Sequence, residues 1–433
     1  MPAVPAWSTR LYVDGAEAVA AAAAAVDAAR EEVLIETYIL RDDRIGWLMH
    51  DRLAAAVARG VRCHLLADAL GSIATRTSYW RALRDAGVSV RLFHPLSLNL
   101  VTNFRRDHRK LLIVDRAVLF TGGMNIGAEY GSSLRAELRT RWWMRWRHLG
   151  AELPDAWRDT MVRMDGPIAA QLAAVFAEGW SRAGGEALPS LATVEWKEEA
   201  TDGAGDATAV FSASGASDSA SAVAPTARAA DGTDRIAHVP LPLVSVARGT
   251  ASSDVLILDA RPGRGQPETI AILAATLGAA RARAWITTPY FAPPDGAIRL
   301  LSDAVRRGVD VRLLLPAHTD VPITQWAAQG AYAKLLRAGV RIFEYTAAIL
   351  HAKTMVVDDA VAVVGSANLD YRSFWHNAEC TVLAWDPVLS GALAAAFRED
   401  LTTSREVTLS AWRDVPFWVK RRGWGARQLR WWL

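Results

Sequence analysis

HRKLLIVDRAVLFTGGMN, residues 108–125, carries His108, Lys110 and Asp115 in the spacing His-x-Lys-x4-Asp, then an apolar run into Gly122, Gly123, Met124 and Asn125. Residues two apart in a strand share a face, so His108 and Lys110 project together. The pattern returns in HAKTMVVDDAVAVVGSAN, residues 351–368, with His351, Lys353, Asp358, Gly365, Ser366 and Asn368. Each copy reads as strand, tight turn, strand, ending in a small-residue turn that presents an asparagine. The chain has nine histidines and only five lysines against forty-four arginines. From those frequencies two accidental copies have a probability on the order of 10⁻⁴. A chain that uses arginine almost everywhere keeps lysine at both places, which suggests that a compact ammonium is wanted there, not a planar fork.

Working outward, the residues before each copy repeat as well. RLYVD (10–14), an Ala-rich helix to about Glu32, the strand VLIETYIL, the helix 44–60, the strand VRCHLLAD, the helix SYWRALRDAGV and the strand VSVRLFHP precede the first. Gly60 and Gly87 fall where a helix would end. In the second half ETIAILAATLGAARARAWITTPYF, IRLLSDAVRRGVDVRLLLP and YAKLLRAGVRIFEY repeat that order, with Gly308 and Gly339 as the stops. After the motifs, WRDTMVRMDGP (157–167) answers NAECTVLAWDP (377–387). Strands alternating with helices predict an α/β layered fold. The spacing predicts one duplication, in which each half contributes one His, Lys and Asn to a shared site.

Composition bounds the rest. The 433 residues hold two core-forming domains, half of them hydrophobic. The net charge of +3 is too mild for a nucleic-acid binder, and none is expected as partner. Cys63 and Cys380 lie in apolar runs and read as buried free thiols. The N-terminus shows no signal-peptide pattern, and no stretch of about 18 apolar residues reads as a membrane span. We expect a first domain at 1–185, a flexible low-complexity linker at 186–252, a second domain at 253–410, and a basic Trp-rich tail at 411–433. Two Trp/Arg segments, RTRWWMRWRHL (139–149) and the tail, suit the headgroup zone of an anionic membrane, and for 139–149 packing of the Trp on the core with Arg reaching solvent stands equally open. Gly423, Gly425 and Pro416 weaken a core-helix reading of the tail.

These motifs resemble the phospholipase D superfamily, whose signature is a duplicated H-x-K-x4-D followed by G-[GS]-x-N, and more narrowly the shorter bacterial cardiolipin synthases. The resemblance implies two similar α/β/α sandwich domains packed on a pseudo-twofold axis with one shared active site. It implies a two-step reaction in which one neutral imidazole attacks phosphorus and the other donates a proton to the leaving oxygen. His108 is assigned as nucleophile and His351 as general acid/base. Lys110 and Lys353, with Asn125, Asn368, Ser366 and Gly123, would hold the non-bridging oxygens. The signature aspartates Asp115 and Asp358 belong to the catalytic motif but lie past the site, and are expected to brace structure. Asp159 and Glu379, in the strand after each motif, are expected to hydrogen-bond a catalytic His and fix its tautomer. Tyr38 and Tyr290, after matching strands, read as packing residues with lining of the entrance as the alternative, His376 as a packed or surface His near the second motif, and Asp370 with Arg372 as an internal ion pair. No metal or other cofactor is expected.

A phosphohistidine is resolved by an alcohol or by water. The resemblance favours transfer to a second phosphatidylglycerol, giving cardiolipin, by a peripheral enzyme on the cytoplasmic face of the cell membrane. A hydrolytic phospholipase D, a nuclease of the same superfamily and a non-catalytic membrane scaffold remain as alternatives.

Overall fold

The computed structural model describes residues 8–95, 104–133, 156–188, 247–248, 254–261 and 268–433. The Trp/Arg segment 139–149 and most of the expected linker lie outside the described residues.

The first half opens with β1 (Ser8–Tyr12), α1 (Gly15–Ala28), β2 (Glu32–Thr37), α2 (Arg44–Ala58), β3 (Arg62–Asp68), α3 (Thr77–Asp85) and β4 (Ser89–Phe93). It continues with β5 (Leu111–Val114), β6 (Val118–Gly122), β7 (Met161–Asp165) and α4 (Pro167–Arg182). The local chemistry explains the ends. Asp14 and Asp43 cap α1 and α2 by accepting the first free N–H groups. Gly60 and Gly87 take φ of 89° and 86° beyond α2 and α3, a region closed to most side chains. The strands order β1-β7-β6-β5-β2-β3-β4.

The second half repeats this. β8 (Ala247–Arg248) and β9 (Asp254–Ala260) precede α5 (Glu268–Ala279), β10 (Arg283–Thr287), the short β11 (Phe291–Ala292), α6 (Asp295–Arg306) and β12 (Asp310–Pro316). Next come α7 (Pro322–Arg337), β13 (Arg341–Tyr345), β14 (Thr354–Val357), β15 (Val361–Gly365), β16 (Leu369–Asp370), β17 (Glu379–Trp385), α8 (Pro387–Thr402) and β18 (Ser404–Val407). The order β18-β13-β12-β10-β14-β15-β17-β9-β8 contains the seven-strand order of the first half, with one strand added at each edge. β8 lies inside the span read as linker, and it pairs with β9, so the second sheet begins before residue 253.

Each sheet is covered on both faces, which is why β5 and β14 are apolar runs without alternation. α1–α3 cover one face of the first sheet and α5–α7 one face of the second. The other faces share a single core, in which Leu34, Val162 and Phe176 of α4 meet Val255, Trp285, Val364 and Phe397 of α8. Buried ion pairs cross this interface. Arg158 forks onto Asp400 with two 2.8 Å bonds, and Arg109 bridges Glu36 and Asp259. Thr9 Oγ1 donates to Asp386 at 2.8 Å.

The tail is not a detached segment. α9 (Leu409–Asp414) buries Trp412 against Tyr332, and α10 (Phe417–Gln428) crosses α7 where Gly423 meets Gly330. A Cβ on Gly330 would stand 2.4 Å from the Gly423 carbonyl oxygen. Gly423, read from sequence as weakening a packed helix, is what permits the packing. Arg427 donates to Asp295 at 2.9 Å and fixes the far end. No helix among the described residues is long and apolar enough to cross a membrane.

Candidate active site

Both motif histidines lie at the interface, and each is held by the other half. The His108 N–H donates to the Ala378 carbonyl (2.9 Å) and the Ala378 N–H returns to Arg106 (2.8 Å). Across the pseudo-twofold the His351 N–H donates to Arg158 (2.8 Å), and the Arg158 N–H to Ile349 (2.9 Å). The rings repeat the exchange. His108 Nδ1 is 3.0 Å from Glu379 of the second half, and His351 Nδ1 is 2.7 Å from Asp159 Oδ2 of the first. A carboxylate only accepts, so it places the proton on Nδ1 and leaves Nε2 with its lone pair. That crossed pairing was not legible in the sequence, which named the acids but not their partners.

The two acids are supported differently. Glu379 accepts from Ser366 Oγ (2.5 Å), Ser373 Oγ (2.8 Å) and Asn377 Nδ2 (3.3 Å) besides His108. Burial pushes its carboxyl up to about 7, against the pull of Lys110 and the three donors. Asp159 accepts from the Thr160 N–H at 2.7 Å, and a Cβ on Gly123 would stand 2.1 Å from its Oδ1. These contacts correct two expectations. The Ser366 hydroxyl is engaged by Glu379 and also accepts the Cys380 N–H, and the Gly123 N–H donates to Thr160. Ser366 and Gly123 therefore seat the acids and have no donor left for a phosphate. Ser373 and Asn377, missed by the sequence reading, belong to the same support and follow the motif too irregularly to show a pattern.

Lys110 and Lys353 are buried beneath the histidines. Lys110 Nζ donates to the His108 carbonyl at 2.5 Å, while Lys353 Nζ contacts the His351 carbonyl and lies against the ring, 2.9 Å from Nδ1 and 3.2 Å from Nε2. Burial pushes them down to about 7 and about 8 respectively. An anionic group in the cavity would restore both charges. Asn125 Oδ1 accepts the Ile39 N–H (3.1 Å), and its Nδ2, beside Tyr130, has no well-formed bond. Asn368 lines the cavity itself. Burial lowers both imidazoles. His108 is held well below its usual range, with Lys110, Lys353, His351 and Arg372 adding to the effect. For His351, Lys353 adds to the lowering while Asp159 opposes it.

The cavity between the halves has a volume of about 360 Å³. Its wall includes Tyr38, Arg106, Tyr130, Tyr290, Asp320, Asp370 and Arg372, and Trp432 with Leu433 at one side. Tyr38 stands edge-on to His108 with ring centroids 5.0 Å apart, and Tyr290 edge-on to His351 at 6.2 Å, so both line the cavity and are not ordinary packing residues. Tyr130 and Trp157 also wall His351 at 5.4 and 5.2 Å. Asp370 and Arg372 do not pair as expected: Asp370 Oδ1 accepts the Ser373 N–H at 2.8 Å and Arg372 reaches the Phe104 carbonyl. His376 packs on Trp431 outside the cavity.

The motif aspartates stand at the far ends of their strands. Asp115 accepts the N–H groups of Arg30 (2.9 Å), Glu31 (2.8 Å) and Glu32 (2.8 Å). Asp358 accepts those of Arg281 (3.1 Å), Ala282 (2.8 Å) and Arg283 (2.9 Å). Both have φ near 50°, which Asp tolerates better than most residues. Neither touches the cavity.

Two imidazoles with opposed carboxylates at one cavity, each with a buried lysine of its own motif behind it, define a class: a two-histidine phosphodiester-transfer site on a duplicated phospholipase D-like fold. The family model described as "Cardiolipin synthase, PLD-like domain" matches residues 23–138 and 273–401. Cardiolipin synthase A of Pseudomonas fluorescens (strain SBW25) is 33% identical over 421 residues, spanning 96% of this chain and 73% of the relative. That of Pseudomonas entomophila (strain L48) is 32% identical over 422 residues, with the same shares. The chain belongs to the cardiolipin synthase family of phospholipase D-like proteins. Its fold is shared with phosphatidylserine synthase from Haemophilus influenzae Rd KW20, at a TM-score of 0.64 and 12% identity, covering 98% of this chain and 95% of that one.

Proposed function

We propose that the protein is a phosphatidyltransferase that makes cardiolipin and glycerol from two phosphatidylglycerol molecules. The observation that carries the chemistry is the crossed pairing of His108 with Glu379 and His351 with Asp159 at one cavity. In the first step His108 Nε2 attacks phosphorus, the bond to the headgroup glycerol breaks, and that oxygen takes a proton from His351. In the second, His351 removes the proton from the primary hydroxyl of a second phosphatidylglycerol. The alcohol oxygen attacks phosphorus, and the P–N bond breaks to free His108.

The role assignment rests on the asymmetry of the two histidines. Burial and the surrounding Lys110, Lys353 and Arg372 keep His108 unprotonated and nucleophilic. His351 is bonded at 2.7 Å by Asp159, which supports the imidazolium form an acid needs. Lys110, Lys353, Asn125 and Asn368 hold the charge that builds on the non-bridging oxygens.

The exposed aromatics of α10 and the turn after it, Trp418, Trp424, Trp431 and Trp432, stand among arginines. Trp432 also lines the cavity. This favours peripheral contact with an anionic bilayer, at the cytoplasmic face, with the cavity mouth at headgroup level.

Detergent denaturation at mildly alkaline pH, where a P–N bond survives, of the protein turning over phosphatidylglycerol labelled in its acyl chains should trap label on His108. Histidine-to-alanine substitution at residue 108 should abolish it. Label on His351 instead would reverse the roles.

A further inference from the structure

Cardiolipin formation differs from hydrolysis in what arrives second. Water brings no other group. An acceptor phosphatidylglycerol brings its own phosphate, attached to the glycerol whose free hydroxyl attacks. A site that favours this acceptor needs a cation a glycerol's length from the reacting phosphorus, outside the cradle that holds the first phosphate.

The cavity wall contains two arginines. Arg106 is fully buried and donates to Asp68 and to the His94 carbonyl, both at 3.3 Å. Arg372 differs. It is half-buried, and its guanidinium makes one long contact, 3.4 Å to the Phe104 carbonyl. Among the described residues no side-chain carboxylate forms an ion pair with it, and Asp370 and Asp320 bond other partners. Its charge still reaches His108. Of the two acidic side chains on the wall, Asp320 accepts the Tyr290 hydroxyl at 2.8 Å, and Asp370 accepts the Ser373 N–H and feels the Arg372 charge without forming an ion pair with it.

The position is also fixed. Arg372 opens a π-helical turn, Arg372–His376, whose Ser373 holds Glu379, and its own N–H donates to Leu433 at 3.0 Å. The pseudo-twofold breaks here. Counting from Asn125 and Asn368, the first-half counterpart of Arg372 is Glu129, which pairs with Arg41 at 3.5 Å. The motif lysines and asparagines repeat in both halves of the sequence. The added cation stands on one side only, as a second phosphate on one arm requires.

We propose that Arg372 receives the phosphate of the acceptor phosphatidylglycerol and so directs the phosphohistidine toward a lipid alcohol. This rests on the transferase reading above. Arginine suits the role, because its fork matches phosphate oxygens and it cannot lose its charge.

The test is a partition measured on one intermediate. Phosphatidylglycerol vesicles are supplied with labelled free glycerol, so that the same phosphohistidine yields either cardiolipin or labelled phosphatidylglycerol. Both products share the first step, so their ratio is insensitive to any effect of the substitution on His108. Arg372→Gln is expected to lower the ratio of cardiolipin to labelled phosphatidylglycerol by about 10- to 100-fold, the value of one charge-assisted contact. Arg372→Lys, which keeps the charge and loses the fork, is expected to fall between. Label incorporation itself reports a folded enzyme. An unchanged ratio in Arg372→Gln overturns the proposal. Absence of cardiolipin from the unsubstituted enzyme, with label still incorporated, overturns the transferase reading and the proposal with it.

Discussion

Asp159→Asn separates the two histidines chemically. The wild-type carboxylate lies 2.7 Å from His351 Nδ1, is 1% exposed, and has its other oxygen on the Thr160 N–H. An asparagine fills the same space and its amide oxygen can still accept from Nδ1, although its Nδ2 then faces the Thr160 N–H and that bond is lost. At the ring itself, what disappears is the negative charge that stabilises the imidazolium. A charge-assisted hydrogen bond exceeds a neutral one by about 1–2 kcal/mol, and the absence of competing water puts this pair at the upper end. That corresponds to about a 30-fold loss in the step that needs His351 as an acid. The assay is single-turnover phosphoenzyme formation from two donors. One loses glycerol, which needs a proton; the other, phosphatidyl-p-nitrophenol, loses a phenolate that does not. Asp159→Asn should slow the first by about 30-fold and the second by less than about threefold. Glu379→Gln acts on His108, and its amide cannot accept from all four donors that Glu379 serves, so it should slow both donors together. Equal slowing of both donors by Asp159→Asn would refute the acid role of His351. Leaving-group selectivity in Glu379→Gln would exchange the roles.

Three further outcomes follow from the contacts. Gly123→Ala places a methyl against Asp159 Oδ1, displacing the acid, and should cost about 100-fold in turnover while the far-ultraviolet spectrum is unchanged. Asp358→Asn should lower stability by about 1–3 kcal/mol in denaturant titration, with activity per folded molecule retained, because the side chain serves three backbone N–H groups away from the cavity. Partial burial raises the Asp358 carboxyl, but the N–H groups of Arg283, Ala282 and Arg281 outweigh it and hold it below its usual range. Its contribution is therefore present above about pH 4 and lost as pH falls through the depressed folded value, so the stability gap between wild type and Asp358→Asn should narrow in acid. Trp418→Ala and Trp424→Ala, which remove side chains 63% and 65% exposed, should weaken binding to anionic vesicles by about 10-fold each while turnover in detergent is kept. Truncation from Trp412 onward is a poorer probe, since Trp412 is buried and Trp432 and Leu433 line the cavity.

The duplication was legible because its carriers are periodic: the apolar strands beside each motif, and glycines that stop helices at Gly60, Gly87, Gly308 and Gly339. The acids Asp159 and Glu379 were reachable because they hold matching places after matching strands. What the linear chain hides is which half each acid serves. That depends on an interface between residues 192 and 271 positions apart, built by backbone bonds that carry no side-chain signature. The same limit explains Ser366 and Gly123, which differ because one sits behind a Glu and the other behind an Asp. It also explains the tail, where glycine marks a close helix crossing and propensity alone argues against a helix.

The most direct measurement of the central claim is product analysis with the purified protein and phosphatidylglycerol vesicles labelled separately in acyl chain and headgroup. The account predicts cardiolipin and free glycerol in equal amounts. Phosphatidic acid and glycerol, with no cardiolipin, would contradict it.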